Sequence, residues 1–120
     1  MILVDTNAWV DHLRRSDPRL IGFLRSSRAV TCDVVMGELL LGSGMPTDLH
    51  ELLARLPVVP SPAAAETRFF VERHRRSFRA SGVGWADAQI ILAAFASGCR
   101  IYSSDKSVRA VWRSLGLRLP

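Results

Sequence analysis

A chain of 120 residues has room for one compact domain, burying roughly two-thirds of the surface it exposes when unfolded, and a second domain does not fit. With 48% apolar and 22% charged residues it is too apolar to be disordered, and the apolar stretch over 90–96 falls far short of the ~20 residues of a bilayer span. Fifteen of the sixteen cations are arginine, against eleven acids, for a net charge of +5; guanidinium forks in such excess suit a polyanionic partner, although arginine-biased codon use gives the same composition.

No basic start or small-residue cleavage site precedes the first apolar run, so no secretory signal is visible. The two cysteines, Cys32 and Cys99, stand far apart in apolar surroundings and read as buried thiols, which places the chain in a reducing cytoplasm. No membrane association is expected.

Residues 2–4 are a short buried strand that leaves Asp5 at its carboxyl end, followed by a helix capped by Thr6 and running to Ser16. Asp17 and Pro18 open a second helix in the N-cap and N1 arrangement, with Leu20, Ile21 and Leu24 inward. Residues 29–32 are a second strand, and Asp33 caps the helix after it, which runs to Gly42 and Gly44. Leu49, Leu52, Leu53 and Leu56 mark an amphipathic helix over 46–56. Val58 and Val59, between prolines, are a minimal strand. The stretch 62–81 reads as one charged helix with Phe70, Val71, His74 and Phe78 on one face, ended by Gly82 and Gly84. A helix apolar nearly all round follows over 86–97, then a strand over 100–102. Asp105 opens the last helix, and 117–119 is a possible edge strand. Strands alternating with helices predict an α/β fold with a parallel sheet covered on both faces.

Open parallel sheets bind ligands beyond the carboxyl ends of their strands. Asp5 and Asp105 stand there, and Asp87 lies in the first turn of the buried helix, three residues past Gly84. Glu38 projects among Val34, Val35, Leu41 and Gly42, so an acid there needs a partner. Each also has an ordinary explanation: Asp87 and Asp105 as helix caps, Asp5 as the start of a turn, Glu38 as half of a buried ion pair. Taken together, four carboxylates at one sheet edge would repel one another unless a cation sat between them. Oxygen-only ligation selects hard ions, so Mg²⁺ or Mn²⁺ is expected. Such a cluster suits phosphodiester hydrolysis. It would also leave sixteen cations facing seven remaining acids, a basic surface around an acidic hole.

The segments Met1-Ile2-Leu3-Val4-Asp5-Thr6-Asn7, Glu38-Leu39-Leu40-Leu41-Gly42, Trp85-Ala86-Asp87-Ala88-Gln89-Ile90 and Tyr102-Ser103-Ser104-Asp105, in that order, resemble the PIN-domain ribonucleases, and within them the VapC toxins of bacterial toxin–antitoxin pairs. The resemblance implies one PIN-like domain over 1–120, a three-layer α/β/α fold with a central parallel sheet of four or five short strands. It implies that Asp5, Glu38, Asp87 and Asp105 are catalytic and bind Mg²⁺ or Mn²⁺, with Asp5 and Asp87 the surest ligands, and that a metal-bound water cleaves single-stranded RNA. Thr6, Asn7 and Ser103 match small polar positions that orient the carboxylates. A cognate antitoxin and a homodimer are the implied protein partners. The family often follows its last acid with another acid and an aromatic, where this chain has Ser107 and Val108, which puts a second metal site in doubt.

Outside the acids, Arg73, Arg75 and Arg76 are the candidate contacts to the RNA backbone, with a solvated helix face or an antitoxin contact as the alternatives. His12, His50 and His74 are scattered and carry no assigned role. Trp9, Trp85 and Trp112 read as packing residues rather than base-stacking platforms, with Trp85 close enough to Asp87 to lie at a pocket rim. A response-regulator receiver domain is a rival of similar size and fold, but it requires adjacent acids after the first strand and an acceptor aspartate after the third; Thr6 follows Asp5, and Pro60 follows Val59. A PIN-like module that binds without cutting is the other alternative.

Overall fold

Ile2, Leu3 and Val4 form β1 (Ile2–Val4), and all three are sealed from solvent. Successive side chains of a strand point to opposite faces, so burial of three in a row requires cover on both sides of the sheet: this is a three-layer arrangement. The computed structural model describes residues 1–42 and 44–120.

Among the described residues the sheet has three strands, all parallel, in the order β2-β1-β3, with β2 at Ala29–Val30 and β3 at Arg100–Tyr102. Ile2 lies opposite both Ala29 and Arg100. The expected four or five strands are thus corrected to three. Val58 makes one parallel bridge to Thr31, through Thr31 N–H to the Pro57 carbonyl and Val59 N–H to the Thr31 carbonyl. Pro57 and Pro60 have no N–H with which to extend that ladder. Residues 117–119 form no strand: the Arg118 carbonyl in their middle accepts from Trp112 Nε1 at 2.9 Å, and the Pro120 carbonyl that follows accepts from Arg19.

The helices are α1 (Thr6–Arg14), α2 (Pro18–Arg25), α3 (Asp33–Leu41), α4 (Thr47–Ala54), α5 (Ala64–Arg73), α6 (Arg75–Phe78), α7 (Trp85–Ala96) and α8 (Lys106–Ser114). Helix α2 starts as the sequence predicts, with Asp17 capping the N–H groups of Arg19 and Leu20. Two predicted caps move by one residue. Asp5, not Thr6, is the N-cap of α1, and Cys32 occupies the cap position of α3 with no side-chain bond, leaving Asp33 exposed in the first turn. The single helix predicted over 62–81 breaks at His74, whose φ of −109° and ψ of 29° are not helical. Phe70 still packs on His74 and Phe78, with ring centroids 4.7 and 5.9 Å apart, so the apolar face continues where the backbone does not.

Helix α7 is the central support. Ile90, Ile91, Ala93 and Ala94 are fully buried, and the helix packs against α3, α5, α8 and β3. Trp9 and Trp112 are buried in the core, whereas Trp85 is 50% exposed, which corrects its reading as a packing residue. Both cysteines are buried thiols. Among the described residues no helix is long and apolar enough to cross a membrane.

Candidate active site

Because the chain leaves β1 for β2 on one side and later reaches β3 on the other, the carboxyl ends of β1 and β3 flank a topological switch point, where the two loops part and leave a crevice. Asp5 follows β1 directly and Ser103 follows β3, and the pairing persists for one residue beyond β1, Asp5 N–H donating to the Tyr102 carbonyl at 2.9 Å. Asp5 is 1% exposed. Its Oδ1 accepts from Thr6 N–H at 2.8 Å and its Oδ2 from the Ser103 hydroxyl at 2.6 Å.

The other acids arrive on helices. Helix α1 packs on α3, which brings the Thr6 hydroxyl within 2.6 Å of Glu38 Oε1. Asp87, half-buried in the first turn of α7, accepts from Gly84 N–H at 3.4 Å. Asp105 caps α8 with Oδ1, accepting from the N–H groups of Ser107 and Val108, while Asn7 Nδ2 lies 3.4 Å from Oδ2. Ser103 Oγ also accepts from Asp105 N–H at 3.1 Å. Thr6, Asn7 and Ser103 therefore each donate to a different acid.

Electrostatics link the four. Burial pushes Asp5 up to about 6; the Ser103 hydroxyl and Thr6 N–H pull the other way, and the charges of Asp87 and Glu38 add to the rise. Asp87 is raised, first by burial and then by Asp105 and Glu38, against the Gly84 N–H. Every hydrogen-bond donor to these carboxylates, among the described residues, is a backbone N–H, a hydroxyl or an amide. None is a guanidinium, so the buried ion pair considered for Glu38 is not what the structure holds.

Among the described residues no three His, Cys, Asp or Glu side chains stand close enough to form a ready-made ion cage. By donor chemistry, however, this group fits a hard divalent cation: it offers oxygens alone, partly dehydrated, repelling one another and, among the described residues, bonded by no cationic side chain.

Residues 2–112 match the PIN domain family. The chain belongs to that family. Over 121 aligned residues this PIN domain is 36% identical to Ribonuclease VapC32 of Mycobacterium tuberculosis, in each of two strains, covering 99% of this chain and 96% of the relative. Two solved structures share the fold: PAE2754 from Pyrobaculum aerophilum, with a TM-score of 0.63 at 17% identity over 92% of this chain and 84% of that one, and FitAcB from Neisseria gonorrhoeae, with a TM-score of 0.57 at 23% identity over 92% and 93%. The match to PIN proteins over nearly the whole length displaces the receiver-domain alternative.

The structure also gathers arginines that the sequence did not single out. Arg19, Arg109 and Arg113 line a cavity of about 300 Å³ that includes Ser103 and Ser104. Arg109 follows Asp105 by four residues, a spacing that could have placed it on the same side of α8; Arg19 comes from α2, and no local signal brings it there. Arg14 lines a cavity of about 260 Å³ with Thr6 and Glu38. The Arg73–Arg76 run is divided by the break at His74: Arg73 ends α5, while Arg75 and Arg76 lie on α6.

Proposed function

We propose that this PIN domain is a Mg²⁺- or Mn²⁺-dependent endoribonuclease of the VapC type that cleaves single-stranded RNA, held in check by a cognate antitoxin. The observation that carries the reading is that the charges of Asp87 and Glu38 act on Asp5 and those of Asp105 and Glu38 on Asp87, with no guanidinium, among the described residues, donating to any of the four. Its strongest outside support is the 36% identity to a protein named a ribonuclease.

Asp5 and Asp87 are the principal holders of the ion, and Glu38 and Asp105 complete the set. A bound divalent ion supplies Lewis acidity toward the phosphodiester and makes water a competent nucleophile near neutral pH. The chain's own groups set the geometry. Ser103 and Thr6 N–H hold Asp5 by both oxygens, and the Thr6 hydroxyl fixes Glu38. Burial of Asp5 keeps bulk water from screening its charge. The surplus of arginine over the rest of the surface attracts the polyanion. The large apolar side chains of Leu41 and Phe69, 91% and 70% exposed, support the antitoxin and a second copy of the chain as further partners.

The test is metal-dependent cleavage of total cellular RNA by the native protein beside Asp5→Ala and Asp87→Ala. Cutting is expected in Mg²⁺ or Mn²⁺, with loss in EDTA and in both variants. Undiminished cutting in EDTA, or by either variant, overturns the reading.

A further inference from the structure

We propose that the groove beside the first turn of α7, walled by Trp85 and rimmed by Arg75 and Arg79, is a subsite that stacks an unpaired nucleobase of the RNA strand next to the acidic centre. The groove encloses about 310 Å³, with Phe78 and Val83 among its apolar lining and no acid. Trp85 is 50% exposed, whereas Trp9 and Trp112 are sealed at 0% and 1%. An indole left half in water on a protein that buries its other two offers an unused aromatic face.

Position ties the groove to the acids. Gly84 lines it, and Gly84 N–H donates to Asp87 Oδ2; Trp85 and Asp87 share the first turn of α7 but, two residues apart, project to different sides of it, so a strand reaches both by crossing the helix start at Gly84. A Cβ built on Gly84 meets nothing within 4 Å; the backbone there lies open to an approaching strand. Single-stranded RNA is bound by base stacking on aromatic side chains together with cations that follow its phosphates. This groove presents both: an indole to take the base and two guanidiniums to take the adjoining phosphate. The acids themselves repel a polyanion, so flanking cations are needed to bring the strand to them. An apolar peptide would use the floor of the groove and leave both arginines unpaired, whereas each nucleotide carries a planar ring and an anion together. The break at His74 matters here, because it sets α6, with Arg75, apart from α5.

The proposal rests on the ribonuclease reading, and the experiment separates the two. Tryptophan emission of the full chain is followed in EDTA at low salt as a short mixed-sequence oligoribonucleotide is added, beside an abasic strand of equal length. Cleavage in Mn²⁺ is measured in parallel. Trp85 is the exposed tryptophan, so quenching by the base-bearing strand and not by the abasic one is expected. Trp85→Ala should weaken binding and raise KM roughly 5- to 150-fold with kcat little changed, and Trp85→Phe should recover most of the loss. Arg75→Ala and Arg79→Ala should each lower the salt dependence of binding by about one counterion.

Equal quenching by the abasic strand, or an unchanged KM in Trp85→Ala, overturns the subsite while leaving the nuclease intact. Unchanged RNA binding by Trp85→Ala with loss of antitoxin binding also overturns it and gives the groove to a protein partner. Base-dependent quenching by a native protein that cuts no RNA upholds the subsite and removes the nuclease reading.

Discussion

Replacing Asp5 by asparagine should make the metal-free protein more stable at neutral pH. Asp5 is buried, and its carboxyl is raised from 3.8 to about 6 by burial first and by the charges of Asp87 and Glu38. Below 3.8 the group is protonated in both the folded and the unfolded chain and costs nothing. Between 3.8 and about 6 the unfolded chain releases its proton and the folded chain retains it, so stability falls as pH rises; above about 6 the loss is complete. At about 1.36 kcal/mol per pKa unit, the full loss is about 3 kcal/mol. Asparagine stands in for the protonated acid: its oxygen can accept from Thr6 N–H, and its amide can donate to the Ser103 hydroxyl, reversing that bond. Asp5→Asn should therefore gain about 2 to 3 kcal/mol at pH 7.5, and the gain should vanish near pH 4. In a chain of this length that is a rise of about 6–15 °C in Tm. Asp5→Ala should gain about 1 kcal/mol less, because Thr6 N–H loses its acceptor. Urea unfolding in EDTA at pH 4 and pH 7.5 measures both variants. If the native carboxylate set holds the ion as proposed, saturating Mn²⁺ should close or reverse the gap, because binding to the folded state stabilises by mass action. Asp5→Asn less stable than native at pH 7.5, or a gain independent of pH, would refute the reasoning.

Thr6→Val keeps the branched shape but removes the hydroxyl that donates to Glu38 at 2.6 Å; RNA cleavage should fall about 10- to 100-fold with little change in melting, and an unchanged rate would reduce Thr6 to a helix residue. Tyr102→Phe removes the hydroxyl that donates to Asp17 Oδ2 at 2.5 Å. Burial works to raise Asp17, but Tyr102 and the N–H groups of Arg19 and Leu20 outweigh it and hold the carboxyl below 3.8; that stabilisation is present above 3.8 and lost as pH falls through the lowered value. The variant should cost about 1 kcal/mol at pH 7, reduced by solvent exposure, with the cost fading below pH 3.8 in a pH series of urea melts. Ala80 has a φ of +59°, so Ala80→Gly should stabilise by about 0.5–1 kcal/mol, the relief of a left-handed alanine less the added freedom of the unfolded chain; a lower Tm would contradict it.

What the sequence makes legible is what local pattern controls. The run Ile2-Leu3-Val4 followed by an acid, the Asp17-Pro18 start of α2 and the all-round apolar α7 each stand where the residues place them. The break at His74 is not legible, because Phe70, His74 and Phe78 keep helical spacing across it. The expected strand at 117–119 gives way to a tertiary contact, the Trp112 indole bonding the Arg118 carbonyl, while Arg19 bonds the Pro120 carbonyl just beyond it. The arginines Arg19, Arg109 and Arg113 reach one cavity from α2 and α8, and the four-residue spacing of Arg109 from Asp105 is the local signal of it.

The acids raise the subtlest point, because sequence reasoning sets capping against ligation as rivals, and the structure shows the capping while leaving the proposed ligation compatible with it. Asp5, Asp87 and Asp105 stand at the starts of α1, α7 and α8, each accepting from backbone N–H groups there. Asp105 caps with Oδ1 and keeps Oδ2 toward Asn7, and Asp5 divides its oxygens between Thr6 and Ser103. Three helix N-termini therefore meet at the carboxyl edge of the sheet, and the positive end of each dipole partly offsets the charge that its own acid brings. The backbone thus supplies part of the positive potential that these carboxylates need where, among the described residues, no guanidinium donates to them, and not enough to hold Asp5 and Asp87 at ordinary acidity. Should a divalent cation bind there as proposed, it would offset part of that shortfall.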